Sequence, residues 1–478
     1  MSNEIILAEK LFFESLDCQL NGDFYQAKEK LELAFNYCPS RPSIINNLML
    51  IYVTLKDKRG LEQLFLEVSD ENNKYKKFIK IYIELLNKDY SQCINSSIGL
   101  LKDLDENEID KIYDVLIKCY FQIKDLNNLF YYLRISLRSK NFYDQKLYNV
   151  GTILLYLSKP LSAKHYLNKA IEIKKDASYL SSIAQCHLKL KNFDDGFKLW
   201  ENRWGVVDRG LILFQNIPSL DKLSEIVDKD VVVWHEQGLG DTLNFARYVK
   251  LLKRYTNKIT FVVQNSLVEL MNDFDEIIKI SSYDKVSDKR YDYQIPLVSL
   301  LTKLNIQYND IPFYQLNLSQ SNDDYKLSSK LNIGFANKGN PDFICDTYRS
   351  ISSKVFAELF HNEKITFYQL SQNHTDPIKT YNSNVVDLSD LKIAKIAHIL
   401  SKFDYIITTD TFFLHLCGTL NINCICLLSK NPEWRWFDDK KTTSWYSSVR
   451  ILKQKKINDW SYPFSVIKRF LKQKSLKR

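Results

Sequence analysis

Residues 231–248 read VVVWHEQGLGDTLNFARY, a pattern that decides the fold of the second half of the chain. The three valines are typical of a buried parallel strand, and Gly238 and Gly240 then mark a tight loop. An amphipathic helical pattern follows, and the N-terminus of such a helix offers unpaired N–H groups to an anion or a polar ligand. Asp241 lies at the start of this helix, as a cap or as a reactive carboxylate. From this pattern alone we favour the cap.

The length and charge of the chain limit its class. At 478 residues it is too long for one core, so two to four domains are expected. The net charge is +9, but residues 451–478 hold nine Lys and Arg against one Asp, so the remainder is near neutral. A basic tail without a basic face does not predict nucleic-acid binding. It indicates a solvated, frayed C-terminus, or a weak contact with anionic lipid headgroups.

Cysteine usage and the N-terminus bear on location. Nine cysteines are scattered without metal-binding spacing, and only Cys424 and Cys426 lie close together. This indicates buried thiols in a reducing compartment. The N-terminal MSNEIILAEK has neither a basic region nor a long apolar stretch, which predicts no signal peptide. No apolar run is long enough for a transmembrane helix, so we expect a cytoplasmic protein.

Similar segments recur through residues 4–204 with a period near 34. Copies start near Ala8, Pro42, Lys74, Asp110, Asp144 and Ala177. Small residues at fixed places let two antiparallel helices approach, and a Gly-Asp or Lys-Asp pair marks the turn between them. The pattern resembles the tetratricopeptide repeat, which stacks into an α-solenoid with a concave surface for peptides or proteins. We predict such a solenoid over 1–204, binding a protein partner, and a connector over 205–230.

Strand and helix patterns alternate from residue 231 onward, which predicts parallel, doubly wound sheets. A polar segment at 315–330 divides them into an N-terminal lobe, 231–320, and a C-terminal lobe, 321–478. Two such lobes place a cleft between the carboxyl ends of both sheets. Besides 231–234, strands are predicted at 259–263, 277–280, 331–336, 365–370 and 384–388, at the start of 405–416, and lastly at 424–428. The segment 291–301 is predicted to hold a further short strand and a turn.

Four segments carry a family resemblance. They are GLGDTLNFARY (238–248), GNPDFICDTYRSI (339–351), TTDTFFLHLCGTL (408–420) and PEWRWFDDKKTTSWYSSVRILKQ (432–454). They look like bacterial tetratricopeptide-linked glycosyltransferases, whose catalytic region is similar to the lipopolysaccharide heptosyltransferases of glycosyltransferase family 9 and has the two-lobe GT-B fold. The domain order is more distantly similar to O-GlcNAc transferase. The resemblance implies an α-solenoid followed by a GT-B pair of α/β lobes.

The resemblance also implies roles on the N-terminal lobe. Asp241 matches the likely base for the acceptor hydroxyl, which makes the catalytic and cap interpretations equally strong. His235 and Glu236 lie on the same loop as back-up bases, and the alternative for both is a strand-end side chain bonded to backbone. Gly238 and Gly240 form the loop on the donor side.

On the C-terminal lobe, Asp410, Thr411 and His415 match the segment that faces the donor. Asp410 would accept hydrogen bonds from sugar hydroxyls, and the amides that follow would meet the diphosphate. Arg349 matches a position that faces the phosphates, with an ion pair to Asp346 as the alternative. Asn340 and Gln369 are weaker candidates for the donor site. No metal or cofactor is required, since positive residues and helix dipoles can take the role of Mg²⁺.

Trp434, Arg435 and Trp436 are predicted to pack against the linker. Together these features predict an inverting, metal-independent glycosyltransferase that moves a sugar from a nucleotide sugar to a protein or glycan recruited by the solenoid. The rival is a repeat scaffold whose lobes no longer catalyse, because Phe412 and Phe413 replace smaller residues and narrow the pocket. A third option is a lipopolysaccharide-type transferase whose repeats serve only assembly.

Overall fold

The computed structural model describes residues 3–206, 212–318, 325–360, 362–371, 378–382, 385–437 and 441–476. The helices are α1 (Asn3–Leu20), α2 (Phe24–Tyr37), α3 (Pro42–Thr54), α4 (Lys58–Glu67), α5 (Asn73–Leu86), α6 (Tyr90–Leu100), α7 (Glu106–Ile123), α8 (Leu126–Ser136), α9 (Tyr143–Tyr156), α10 (Pro160–Ile173), α11 (Ala177–Lys189), α12 (Phe193–Trp200), α13 (Leu239–Val249), α14 (Asn265–Val268), α15 (Ser299–Lys303), α16 (Asp346–Arg349), α17 (Ser353–Phe356), α18 (Ile393–Leu400), α19 (Phe412–Thr419) and α20 (Ser461–Ser475). The strands are β1 (Val231–Trp234), β2 (Ile259–Val262), β3 (Lys279–Ser281), β4 (Tyr293–Pro296), β5 (Leu331–Ala336), β6 (Ile365–Gln369), β7 (Val386–Asp387), β8 (Tyr405–Thr409), β9 (Cys424–Leu428) and β10 (Val449–Lys453).

Helices α1 to α12 form helix–turn–helix pairs at the predicted period. The turn inside each pair holds one residue with positive φ: Gly22, Lys56, Lys88, Lys124, Ser158 and Lys191. The next residue is the N-cap of the second helix, and in α2 the Asp23 carboxylate accepts from the Gln26 amide at 3.0 Å. The same cap recurs at Asp57, Asp89, Asp125 and Asn192. Side-chain capping satisfies first-turn amides, so the predicted Gly-Asp and Lys-Asp turns are confirmed.

The chain divides into two compact units, residues 1–150 and 151–478. In the first unit each helix from α1 to α8 contacts the next, over fully buried small residues such as Ala8, Ala27 and Ala34. The second unit holds α10, α11, α12 and both sheets. Phe193, Phe197 and Trp200 share one hydrophobic core with the first sheet. The domain boundaries set at 204, 230 and 320 stay predictions.

Both sheets of the second unit are parallel, as predicted. The first has the order β3-β2-β1-β4, and the second has the order β10-β9-β8-β5-β6-β7. In each sheet the strand order reverses beside its first strand, between β1 and β4 and between β5 and β8. Ligands of open α/β sheets bind outside the carboxyl ends of the strands at such points. The architecture is thus a helical-repeat region followed by two doubly wound lobes, which is the predicted fold class.

The C-terminal end differs from the prediction. Strand β9 is not the last strand, because β10 follows it and pairs with it in parallel. The basic tail is not frayed over its described part, because residues 461–475 form helix α20. Phe464, Ile467 and Leu471 of this helix are buried in the core under the second sheet. The charged side chains therefore occupy the outer face of an amphipathic helix. No helix in the described ranges combines the length and apolarity needed to cross a membrane.

Candidate functional site

Two strand-to-helix loops of the second unit build the site. After β1, the segment 235–238 leads into α13, with Gly238 as its N-cap. After β8, Asp410 leads into α19, with Thr411 as its N-cap. Gln237 has a φ of 96°, which is unfavourable for a residue with a side chain and marks a sharp turn. The positive ends of both helices therefore face the carboxyl edges of the sheets.

A cleft of about 650 Å³ opens between these loops. Its described lining residues are Gln237, Gly238, Leu239, Gly240, Asp241, Lys338, Gly339, Asn340, Phe343, Arg349, Ser371, Asp410, Thr411, Phe412, Phe413, His415, Glu433 and Arg435. Of the eleven residues singled out from the sequence, eight are therefore brought together here. His235, Glu236 and Gln369 are not among the described lining residues.

Asp241 has both carboxylate oxygens engaged. It lies three positions after the N-cap, and its Oδ2 accepts from the Gly238 amide at 3.0 Å. Its Oδ1 accepts from Nη2 of Arg435. The side chain is 23% exposed. Asp241 thus closes the first turn of α13 and holds an ion pair across the cleft, so it combines a capping contact with a place in the candidate site.

Arg435 was not expected in the site. Instead of packing against the linker, its buried guanidinium lies between two carboxylates, with Nη1 donating to Glu433 Oε2 at 2.6 Å and Nη2 to Asp241. Its ring neighbours are Phe245 and Trp434, at 5.3 and 4.6 Å from the ring centroids. Burial lowers the pKa of Arg435, but the two carboxylates raise it above its usual value. The sequence signal that could have indicated a site role for Arg435 is the segment 432–436, Pro-Glu-Trp-Arg-Trp. In this segment an acidic and a basic residue alternate with aromatic residues.

Asp410 and Arg349 both belong to the C-terminal lobe's part of the cleft lining. Arg349 Nε donates to Asp346 Oδ1 at 3.0 Å, so the predicted alternative ion pair is present. The same guanidinium also lines the cleft and stacks over Phe343. Burial raises the pKa of Asp410, although the charge of Arg349 opposes the rise. The ion pair with Asp346 therefore orients the Arg349 guanidinium and leaves it in the cleft lining.

His415 is a neutral side chain that joins the two lobes. Its Nδ1 shares a hydrogen bond of 2.9 Å with the Tyr446 hydroxyl. Burial, together with the charges of Arg435 and other guanidinium groups, lowers the pKa of His415 to about 3. The ring lies so close to Gly240 that a Cβ there would be 2.7 Å from its Cδ2. Glycine at position 240 is therefore required by close approach to the imidazole.

Glu433 was also missed from the sequence. It lines the cleft and a second cavity of about 270 Å³, whose lining also includes Tyr156, Gln185 and Trp200. Its side chain is 28% exposed. Burial raises the pKa of Glu433 to about 7, despite the opposing charge of Arg435. A carboxyl group with a pKa near neutrality can take up or release a proton at physiological pH.

The back-up bases lie elsewhere. Glu236 accepts from Nε and Nη2 of Arg203 at 2.7 and 2.8 Å, and from the Val298 amide at 2.8 Å. Burial raises its pKa, while Arg203 opposes the rise. His235 continues the edge of β1, its amide donating to Val262, and burial lowers its pKa. These contacts weigh against both residues as bases.

The remaining donor-site candidates divide in the same way. Asn340 lies on the exposed rim of the cleft, where its side-chain oxygen accepts from the Asp342 amide at 3.0 Å. Gln369 is buried at the end of β6 and donates to the Ser371 carbonyl at 2.7 Å. Within the described ranges, no group of three or more His, Cys, Asp and Glu residues is arranged to hold a metal ion.

The fold and the cleft together define a class: a helical-repeat protein with a GT-B-like pair of lobes. No family model matches the chain, and no curated protein sequence matches it. Among solved structures it is similar to a family 9 glycosyl transferase from Veillonella parvula, at 12% identity and a TM-score of 0.39, covering 53% of this chain and 97% of that one.

Two further structures are each similar to a part of the chain. The heptosyltransferase II of E. coli is 14% identical with a TM-score of 0.37, covering 51% of this chain and 99% of that one. A tetratricopeptide repeat protein from Parabacteroides merdae is 14% identical with a TM-score of 0.29, covering 41% of this chain and 78% of that one. The neighbours include both classes that the sequence motifs indicate.

Proposed function

We propose that this chain is a glycosyltransferase that moves a sugar from a nucleotide-sugar donor to a protein or glycan acceptor, with inversion and without a metal ion. The observation that carries the proposal is the cleft of about 650 Å³ lined by the first turns of α13 and α19 together with two guanidinium groups. Donor phosphates carry negative charge, and helix N-termini and arginines are the groups that stabilise it.

Arg349 and the start of α19 are the proposed phosphate site. The guanidinium of Arg349 is oriented by Asp346, and a fixed planar fork suits phosphate oxygens. Asp410 and Thr411 line the same cleft, and they would hold the sugar by its hydroxyl groups. Gly238, Gly240, Asn340 and His415 complete the proposed donor site. Gln369 and His235 would act only through neighbouring residues.

The repeats are proposed to recruit the acceptor or a partner protein, because stacked helix pairs offer an extended surface for proteins. A reducing, cytoplasmic location is also proposed. It is supported by the nine cysteines, all within the described ranges, which are all free thiols. Contact of the C-terminal helix with anionic lipid remains a weaker proposal that rests on its outward-facing basic residues.

Thermal unfolding of the full chain against a panel of nucleotides and nucleotide sugars tests the proposal. A ligand at 100 times its Kd stabilises the native state by about 2.7 kcal/mol. We expect one nucleotide sugar to stabilise more than its bare nucleotide, and Arg349→Gln to remove most of this shift. The control is Arg254→Gln, because Arg254 is exposed and outside the cleft lining. No shift from any compound in the panel would refute donor binding.

A non-catalytic scaffold is the second candidate. It is favoured by Asp241, whose two oxygens are both engaged, and by the bulky Phe412 and Phe413 in the cleft lining. A scaffold of this kind would bind a partner through the repeats and release no nucleoside diphosphate from any donor. Measurement of diphosphate release by the wild-type chain separates the two candidates.

A further inference from the structure

The wall shared by the two cavities contains two carboxyl groups, those of Asp410 and Glu433. Since Asp410 is assigned to the donor sugar, Glu433 is the one available for proton transfer. Glu433 belongs to a segment, 432–436, that begins just after β9 and crosses between the lobes. Lys189 of α11 holds this segment, since its Nζ donates to the carbonyls of Pro432 at 2.7 Å and Glu433 at 3.0 Å. The backbone of Glu433 is therefore fixed, while its side chain lines both cavities.

We propose that Glu433, and not Asp241, takes the proton from the acceptor hydroxyl during sugar transfer. This inference rests on the proposed glycosyltransferase function and assigns its base. It also assigns the smaller cavity, beside α11, as the place from which the acceptor hydroxyl reaches the donor.

The first argument is the availability of carboxylate oxygens. Asp241 uses one oxygen to cap α13 and the other to bind Arg435. Glu433 uses only Oε2, which accepts from Arg435 at 2.6 Å. Within the described part of the chain, Oε1 of Glu433 accepts no hydrogen bond. A base needs an oxygen within reach of the proton it abstracts, and Glu433 has one to offer.

The second argument is position. The smaller cavity is lined by Glu433 and Asp410, whereas Asp241 is not among its described lining residues. The lining of this cavity also includes Tyr156, Gln185 and Trp200 of the helical repeats. A hydroxyl group bound in this cavity would therefore lie near Glu433 and Asp410, which also line the larger cleft that holds the donor sugar.

The third argument is electrostatic. Burial raises the pKa of Glu433, and the neighbouring charges of Asp410 and Asp241 raise it further against the effect of Arg435, to about 7. A general base works best when its pKa lies near the working pH, because it is then ionised yet still basic. Arg435 meanwhile holds the carboxylate in place through a charged hydrogen bond.

The proposed step balances as a single displacement. The acceptor oxygen forms a bond to the anomeric carbon, on the face opposite the diphosphate. The bond from the anomeric carbon to the phosphate oxygen breaks, and the nucleoside diphosphate leaves with that electron pair. The acceptor proton passes to Oε1 of Glu433, and later to water. Arg349 and the start of α19 stabilise the leaving diphosphate.

The test is the pH dependence of nucleoside diphosphate release from the nucleotide sugar that stabilises the wild-type chain, with water as acceptor. We expect the wild-type rate to rise with pH and level off above about 7, as the base ionises. Glu433→Gln should lower the rate by roughly 10²- to 10⁴-fold and remove this rise, while donor-induced stabilisation persists. Glu433→Asp should restore part of the rate.

Asp241→Asn is the comparison variant. Loss of the Asp241 charge makes Glu433 easier to ionise, so the rise in rate should persist with its midpoint moved to lower pH. If Asp241→Asn removes the rise and Glu433→Gln keeps it, Asp241 is the base and the inference is overturned while the proposed function stands. If the wild-type chain binds and cleaves no donor, the proposed function and this inference fall together.

Discussion

The ion pair between Glu236 and Arg203 allows a structural role to be separated from a catalytic one. Arg203 is 1% exposed and bridges the end of the repeat region to the first sheet. Its Nε and Nη2 donate to both oxygens of Glu236, and Nη2 also donates to Ser299 at 2.8 Å. We predict that Glu236 acts through this pair and does not transfer protons.

The magnitude follows from the burial of both partners. Removing one member of a buried ion pair leaves an uncompensated charge and costs about 3–5 kcal/mol. Glu236→Leu and Arg203→Met should each lose stability in this range. Replacing both members by apolar side chains of similar volume is often neutral, so the double variant should recover most of the loss. Glu201, the other acid bound to Arg203, is one-third exposed and can be solvated when the arginine is removed.

Urea unfolding of the four chains, followed by tryptophan fluorescence, measures this double-mutant cycle. Trp204 lies under the Arg203 guanidinium at 4.4 Å and beside Trp234 at 5.5 Å, so its emission reports on the site. Donor-dependent release of nucleoside diphosphate is measured on the same samples. Additive losses of stability would contradict the ion-pair reasoning. A stable double variant without turnover would show that Glu236 or Arg203 has a role in the reaction, against the prediction.

Three further predictions use other contacts of the same chain. Gly240→Ala should cost about 1–3 kcal/mol of stability and weaken donor binding, because the new Cβ would lie 2.7 Å from the His415 ring. The matched control is Gly99→Ala, since a Cβ added at Gly99 has nothing within 4 Å. This control should be neutral or stabilising in thermal unfolding. His415 is buried neutral with its pKa lowered to about 3, so the unfolded state binds its proton first as the pH falls through 6.5. The stability advantage of wild type over His415→Gln should therefore shrink by about 2 kcal/mol between pH 7.5 and pH 5. A difference that is constant with pH in urea titrations would show that folding does not shift the pKa of the imidazole. Phe464→Ala in α20 should lower the free energy of unfolding by about 3–5 kcal/mol, because Phe464 is buried. Arg469 of the same helix is exposed, so Arg469→Ala should change it by no more than about 0.5 kcal/mol. Equal effects in thermal unfolding would show that the helix is not anchored by its apolar face.

The local pattern was enough to predict most of the fold. Four of the repeat turns follow from Gly-Asp or Lys-Asp pairs that are visible in the sequence, in which the first residue has positive φ and the Asp caps the next helix. Strands such as β1 and β9 are continuous apolar runs, because both faces of a parallel sheet are covered. Strand β10 was missed because it is an edge strand with one exposed face, so its apolar content is diluted by Arg450 and Lys453.

The site was predicted only where its residues follow a strand directly. Asp241 and Asp410 lie in strand-to-helix loops, which sequence patterns locate well. Arg435 is 194 positions from Asp241, and nothing local to either residue indicates that they meet. Likewise, the pairing of Glu236 with Arg203, 33 positions earlier, depends on how the last helical pair packs on the first sheet. Such tertiary pairings decide which carboxyl groups are free to act as bases, and local sequence patterns do not show them.

The packing of the last helical pair also bears on how such a protein could arise and be taken apart. Phe193 lies against Tyr308 and Trp434, and Phe197 against Trp434, so α12 belongs to the same core as the lobes. A fragment that began at residue 205 would expose these aromatic rings to water and lose Lys189, which holds the segment bearing Glu433 and Arg435. The repeats upstream could be lengthened, shortened or exchanged during evolution, whereas the final one must be inherited with the lobes. A minimal fragment for expression therefore has to start before α11.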